Sequence, residues 1–124
     1  MTKPLALCFY ENLLLGNQLV NRLQDLGYRV QVADDASNLV SLALQERPFL
    51  VVTDLNCQKA DICRVISELR HNDSTQHIPI LAFAPTGKAP LYEAAHSSGA
   101  TLVAVENGLL HQLPELLEQV LNVE

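Results

Sequence analysis

Five short apolar runs alternate along the chain with five segments whose large apolar residues recur every three to four positions. The runs are Leu5-Ala6-Leu7-Cys8-Phe9, Tyr28 to Ala33, Phe49-Leu50-Val51-Val52-Thr53, Ile80 to Ala84 and Thr101 to Val105. A short, nearly unbroken apolar run is what a strand buried on both faces looks like. The segments between them predict helices. The first spans about Leu13 to Leu26, with Asn12 as N-cap and Gly27 as the stop. The second runs from about Ser37 to Glu46 and ends before Pro48, because the residue before a proline is steered out of helical geometry. The third starts near Asp61, and Ile62, Val65, Ile66 and Leu69 form its apolar stripe. The polar segment His71 to His77 reads as a loop, and Pro79 opens the fourth strand. The fourth helix covers Ala89 to Ser97 and stops before Gly99. The last begins near Pro114, which a first turn tolerates, and buries Leu116, Leu117, Val120 and Leu121. Strands alternating with helices through short links make a parallel sheet covered on both sides. There is no linker, repeat or low-complexity stretch, so one domain over residues 1–124 is expected.

Composition narrows this picture. At 124 residues, 48% hydrophobic and 18% charged, the chain is globular and long enough for a core without staples. Its net charge of -6 opposes nonspecific binding to nucleic acid or an anionic membrane, and no lysine or arginine cluster occurs along the sequence. The apolar runs fall far short of the ~20 residues of a membrane span, and no signal peptide is visible, so a cytoplasmic protein is expected. Of the three cysteines, Cys8 reads as core. Cys57 and Cys63 read as reduced thiols near a loop, with a redox switch as the alternative.

Asp54 carries the chemistry. It follows the third apolar run, and open α/β sheets place their ligand crevice at the carboxyl ends of strands. Other constellations are missing. No glycine-rich turn follows the first strand, where Glu11 to Gly16 reads as a helix start, which counts against a nucleotide or flavin cradle. No GxSxG elbow or zinc-hydrolase pattern occurs. His71, His77, His96 and His111 read as solvated surface, and Asp34-Asp35 as a turn plus cap.

Over its whole length the chain resembles a response-regulator receiver domain (CheY-like). The resemblance rests on Leu26-Gly27-Tyr28 after the first helix and Asp54-Leu55 after the third strand. Leu69-Arg70, then a polar loop and Ile78-Pro79-Ile80, carries it further, as does Gly99-Ala100 before the fifth strand. It implies a five-stranded parallel sheet of order 2-1-3-4-5 flanked by five helices, flavodoxin-like. It also implies a family chemistry: a phospho-acceptor aspartate, an acidic pair and a backbone carbonyl holding magnesium, a hydroxyl and a lysine binding the phosphate, and a switch aromatic. Asp54 holds the phospho-acceptor position. Glu11, Asp54 and the Asn56 carbonyl would be the magnesium ligands that remain, and Glu106 would add a third carboxylate. The other positions depart from the pattern. Tyr10 replaces one acid of the pair, Ala84 the hydroxyl, Val103 the aromatic and Glu106 the lysine, with Asn107 after it. The loop after the acceptor reads Cys57-Gln58 and Asp61-Ile62.

These departures fall on catalysis and switching while the scaffold stays whole. A carboxylate at Glu106 turns an attraction into a repulsion. For charges about 4 Å apart each is worth roughly 4 kcal/mol at an effective dielectric near 20. If Glu106 faces away, Lys88 or Lys59 would be the cation that approaches instead. The expected function is therefore a receiver-like signalling domain acting by protein–protein interaction, not an enzyme, with impaired or absent phosphorylation of Asp54 (a pseudo-receiver). The alternative is an atypical but functional phosphorelay regulator phosphorylated on Asp54. A more remote one is a small ligand-binding or enzymatic flavodoxin-like protein. The resemblance implies a sensor kinase or output protein as partner, docking on the face of the fourth helix, fifth strand and fifth helix, with a homodimer through that face as a further option. Leu109 and Leu110, read as loop residues, are candidate contacts there.

Overall fold

A computed structural model describes residues 3–57 and 60–121. Five strands, β1 (Leu5–Phe9), β2 (Arg29–Val32), β3 (Leu50–Asp54), β4 (Ile80–Ala84) and β5 (Leu102–Val105), alternate with five helices. These are α1 (Leu13–Asp25), α2 (Leu39–Glu46), α3 (Ile62–Arg70), α4 (Ala89–Ser98) and α5 (Leu109–Leu121), and a 3-10 turn over Ala36–Asn38 leads into α2. All strand pairs are parallel, in the order β2-β1-β3-β4-β5.

Local chemistry sets the helix starts. The Asn12 side chain accepts from the Leu15 N–H at 3.3 Å, and that of Asp61 from Arg64 N–H at 3.3 Å. Asp35 caps the turn before α2 by accepting from Ser37 N–H, as the turn-plus-cap reading expects.

The two-residue strand period splits the core between the sheet faces. Leu7, Phe9, Val51 and Ile80 meet Leu39 of α2 and Ile62, Ile66 and Leu69 of α3 on one side. Ala6, Cys8, Leu50, Val52, Leu81 and Phe83 meet Leu19 and Leu23 of α1 and Leu109, Leu113, Leu117 and Val120 of α5 on the other. Cys8 is fully buried, as its apolar run expects, and burial pushes its thiol pKa up to about 12.

The second and fifth strands are shorter than their apolar runs, at Arg29–Val32 and Leu102–Val105, α2 begins at Leu39 after the 3-10 turn, and two further boundaries bear on the site. The third strand is shifted by one residue, so Asp54 ends it from within, and Phe49 stays outside at 51% exposure. More consequentially, α5 begins at Leu109, five residues before Pro114, which sits inside the helix. Leu109, Leu113 and Leu117 recur at four-residue spacing and are buried, and that apolar stripe outweighs the proline. Lacking an N–H, Pro114 simply cannot donate to the Leu110 carbonyl. Leu109 is therefore fully buried core, not a loop residue available for contact, and Leu110 is partly buried against the same core.

Arg70 braces the amino ends of β4 and β5. Its guanidinium donates to the carbonyls of Gln76 (2.6 Å), Ile78 (2.8 Å) and Gly99 (2.6 Å), and to the Thr101 hydroxyl (2.7 Å). Thr101 Oγ1 in turn accepts from Ile80 N–H at 3.1 Å. Gly99 is required twice. Its φ of 118° is one that side chains resist, and a Cβ there would come within 2.3 Å of Arg70 Cγ.

Candidate functional site

The carboxyl ends of β1, β3, β4 and β5 present the crevice. Asp54, the last residue of β3, is 2% exposed. Backbone pairing of Leu55 N–H with Phe83 O at 2.8 Å continues the sheet past it and fixes its position. One carboxylate oxygen accepts from Asn56 N–H at 2.9 Å.

Burial is the largest influence on Asp54 and raises its pKa from the ordinary 3.8 to about 6. The Asn56 N–H opposes that rise, the Glu106 charge adds to it, the Glu11 backbone N–H opposes it, and the Glu11 charge adds again. Glu106 thus acts on Asp54 electrostatically, and Lys88, at the start of α4, is not among the groups that shift it. Lys59 and Gln58 lie outside the described residues.

Tyr10, which the resemblance sets where receiver domains carry an acid, packs against the α1 and α5 core, with its ring over Gly16. A Cβ at Gly16 would lie 2.0 Å from ring carbons of Tyr10. The tyrosine is therefore built into the scaffold. Glu11 is exposed, and its carboxylate accepts from the Cys57 thiol at 3.1 Å.

Ala84 ends β4 fully buried and offers no hydroxyl. Instead the hydroxyl of Tyr92, from α4, donates to the carbonyls of Pro85 (2.8 Å) and Ala84 (3.2 Å). Val103 on β5 is partly buried in the same cluster as Tyr92. Tyr92, the Tyr10–Gly16 contact and the Cys57–Glu11 contact do not emerge from the sequence, since each joins residues whose meeting depends on how the chain folds.

Among the described residues, no three histidines, cysteines, aspartates or glutamates group so as to hold a metal ion, so the three carboxylates do not form the cluster expected of them. Asp54, Glu11 and the Asn56 carbonyl are the oxygen donors that would hold a magnesium ion, an ion usually bound by one or two carboxylates with water completing its octahedron. All four histidines are exposed, as expected, and His71 is held by Ser67 O at 2.7 Å.

No protein-family model and no curated protein matches the sequence. Solved structures do match in fold. A protein of Chloroflexus aurantiacus J-10-fl described as a response regulator superposes with a TM-score of 0.90 at 17% identity, covering 98% of this chain and 100% of its own. The chemotaxis response regulator CheY4 of Vibrio cholerae gives 0.85 at 21% identity, over 96% and 99%. The receiver domain of the sensor histidine kinase PA1611 of Pseudomonas aeruginosa PAO1, which has a magnesium ion coordinated in its active-site cleft, gives 0.87 at 19% identity, over 98% and 100%. The chain has the fold of response-regulator receiver domains.

Proposed function

We propose that this chain is a receiver-type signalling module that works through protein–protein contact, and that Asp54 is a poor or silent phosphate acceptor. The observation that carries this reading is the electrostatic setting of Asp54: a buried carboxylate raised to about 6, with Glu106 and Glu11 as its charged neighbours. Phosphoryl transfer is catalysed mainly by positioning and by positive charge on the equatorial oxygens. Here an incoming phosphoryl group meets carboxylates, and Ala84 has no hydroxyl to donate to it.

The output face would be α4, the edge strand β5 and α5. Val105 is 42% exposed there, with Leu91 and Tyr92 partly exposed beside it. Leu109 takes no part, being buried, and Leu110 contributes at most its exposed edge. Tyr92 ties α4 to the end of β4 through two carbonyls. Among the described residues no helix is long and apolar enough to cross a membrane.

A second reading, a working phosphorelay receiver, draws on the N–H groups of Asn56 and Glu11, which favour the ionised form of Asp54. Intact-mass spectrometry after incubation with acetyl phosphate and magnesium separates the two. The pseudo-receiver reading expects no adduct in either wild type or Asp54→Ala. A phosphate adduct in the wild type that disappears in the variant would establish the second reading instead.

A further inference from the structure

The opposite end of the sheet carries a cavity of about 620 Å³ that the crevice chemistry does not use. That volume is in the range of small-molecule sites. Its lining includes Lys3, Arg29, Arg47 and His77, with Glu46 as the one acid among the described lining residues. In a chain of net charge -6 with eight lysines and arginines, three of those eight line one cavity. They lie far apart in sequence and form no cluster along it. Parallel pairing gathers them.

The register shows how. Leu5 of β1 pairs with Arg29 of β2. Ala6 pairs with Leu50 of β3, and Phe49 N–H donates to Leu5 O at 2.8 Å, which sets Lys3-Pro4 beside Arg47-Pro48. Val51 pairs with Ile80 of β4, which brings His77 to the same edge. Four neighbouring strands thus each carry a basic residue at the amino end. With strands about 4.8 Å apart, the row spans roughly 14 Å.

Two further features shape this edge. Arg47 ends α2 in the left-handed conformation, with φ of 49°, which is uncommon outside glycine and costs backbone energy. Phe49 leaves an aromatic side chain 51% exposed in the lining. Among the described residues Lys3, Arg47 and His77 form no ion pair, and Arg29 is engaged only through Nε, with Lys3 O at 3.1 Å.

We propose that this cavity binds a small phosphomonoester with a planar apolar body, such as a nucleoside monophosphate or an aryl phosphate. Two guanidiniums suit the paired oxygens of a phosphate. Near pH 7 a phosphomonoester carries a charge of about -1.5 to -2, which matches several cations better than a single carboxylate does. Phe49 and the prolines beside it offer the apolar surface for the ring. Binding at this end of the sheet does not depend on whether Asp54 is phosphorylated.

The test is a ¹H–¹⁵N NMR titration of the wild-type chain with phenyl phosphate, adenosine 5′-monophosphate and inorganic phosphate. Saturable shifts at Arg29, Arg47, Phe49 and His77 are expected for at least one of the two ring-bearing compounds, with a Kd below about 1 mM. Inorganic phosphate is expected to bind about tenfold more weakly, for want of the ring. Lys3→Glu and Arg29→Glu, both at exposed positions, should each weaken binding about tenfold. Phe49→Ser should erase the preference for the ring-bearing compound. The proposal falls if no saturable shift appears up to about 10 mM ligand, far weaker than a specific site. It falls equally if inorganic phosphate binds as tightly as phenyl phosphate, if the shifts centre on Asp54 and Glu106, or if folded Lys3→Glu and Arg29→Glu bind like wild type.

Discussion

The two ends of the sheet are built on opposite terms. At the amino end Arg70 satisfies three carbonyls and a hydroxyl, and basic residues gather where the parallel register places them. At the carboxyl end a buried aspartate sits under the influence of two glutamates. The difference locates stability and tension in separate places. The brace depends on geometry, so few changes there are tolerable. The crevice departs from its expected chemistry at four positions, yet the strands that frame it are intact.

That contrast can be broken most directly at the brace. Arg70→Met should lower the unfolding free energy by about 2–3 kcal/mol, because it strands the part-buried Ile78 and Gly99 carbonyls that a charged donor had satisfied. Urea denaturation reads this out, and a loss under about 1 kcal/mol would mean the amino end draws its rigidity from elsewhere.

The crevice should respond in the opposite direction. The folded-state pKa of Asp54, about 6, lies above the ordinary 3.8. Between those values the folded chain binds more protons than the unfolded one, so this group's contribution makes stability fall as pH rises from about 4 to about 6 and level off above. A shift of about two units corresponds to an effect on the order of 2–3 kcal/mol. Asp54→Asn should stabilise the protein at pH 7 by about that amount or somewhat less, and flatten this part of the pH profile. A destabilised Asn variant would place the tension outside Asp54.

The smallest expected effect sharpens the comparison. Glu106→Gln removes one of the two repelling charges while burial remains the larger cause. The Asp54 pKa, followed by NMR of its side-chain carboxyl carbon, should drop but stay above the ordinary range. A return all the way to the ordinary value would mean that charge repulsion, and not burial, holds the carboxyl up.

Much of this molecule is legible in its sequence. Strands β1 and β4 follow their apolar runs residue for residue, because a strand covered on both faces leaves an unbroken signature. The crevice residues are legible by position, since Asp54 closes such a run. The start of α5 is not, because Pro114 offers a local stop-and-start signal that a buried leucine stripe overrides through tertiary packing. The bonds of Arg70, the hold of Tyr92 on the β4 end and the basic row are also hidden. Each depends on register or packing between segments, and no local pattern encodes that.

The ring of Tyr10 lying over Gly16 sets an order on sequence change. Any side chain at position 16 would occupy the space the ring fills, so glycine must arrive before the tyrosine or together with it. Once the pair is in place, an aspartate at position 10 restores a charge and leaves a trough above a helical glycine, which itself weakens the helix. The interlock is a mutual constraint: the ring and the bare glycine fit as a pair, and neither position varies freely while the other is kept.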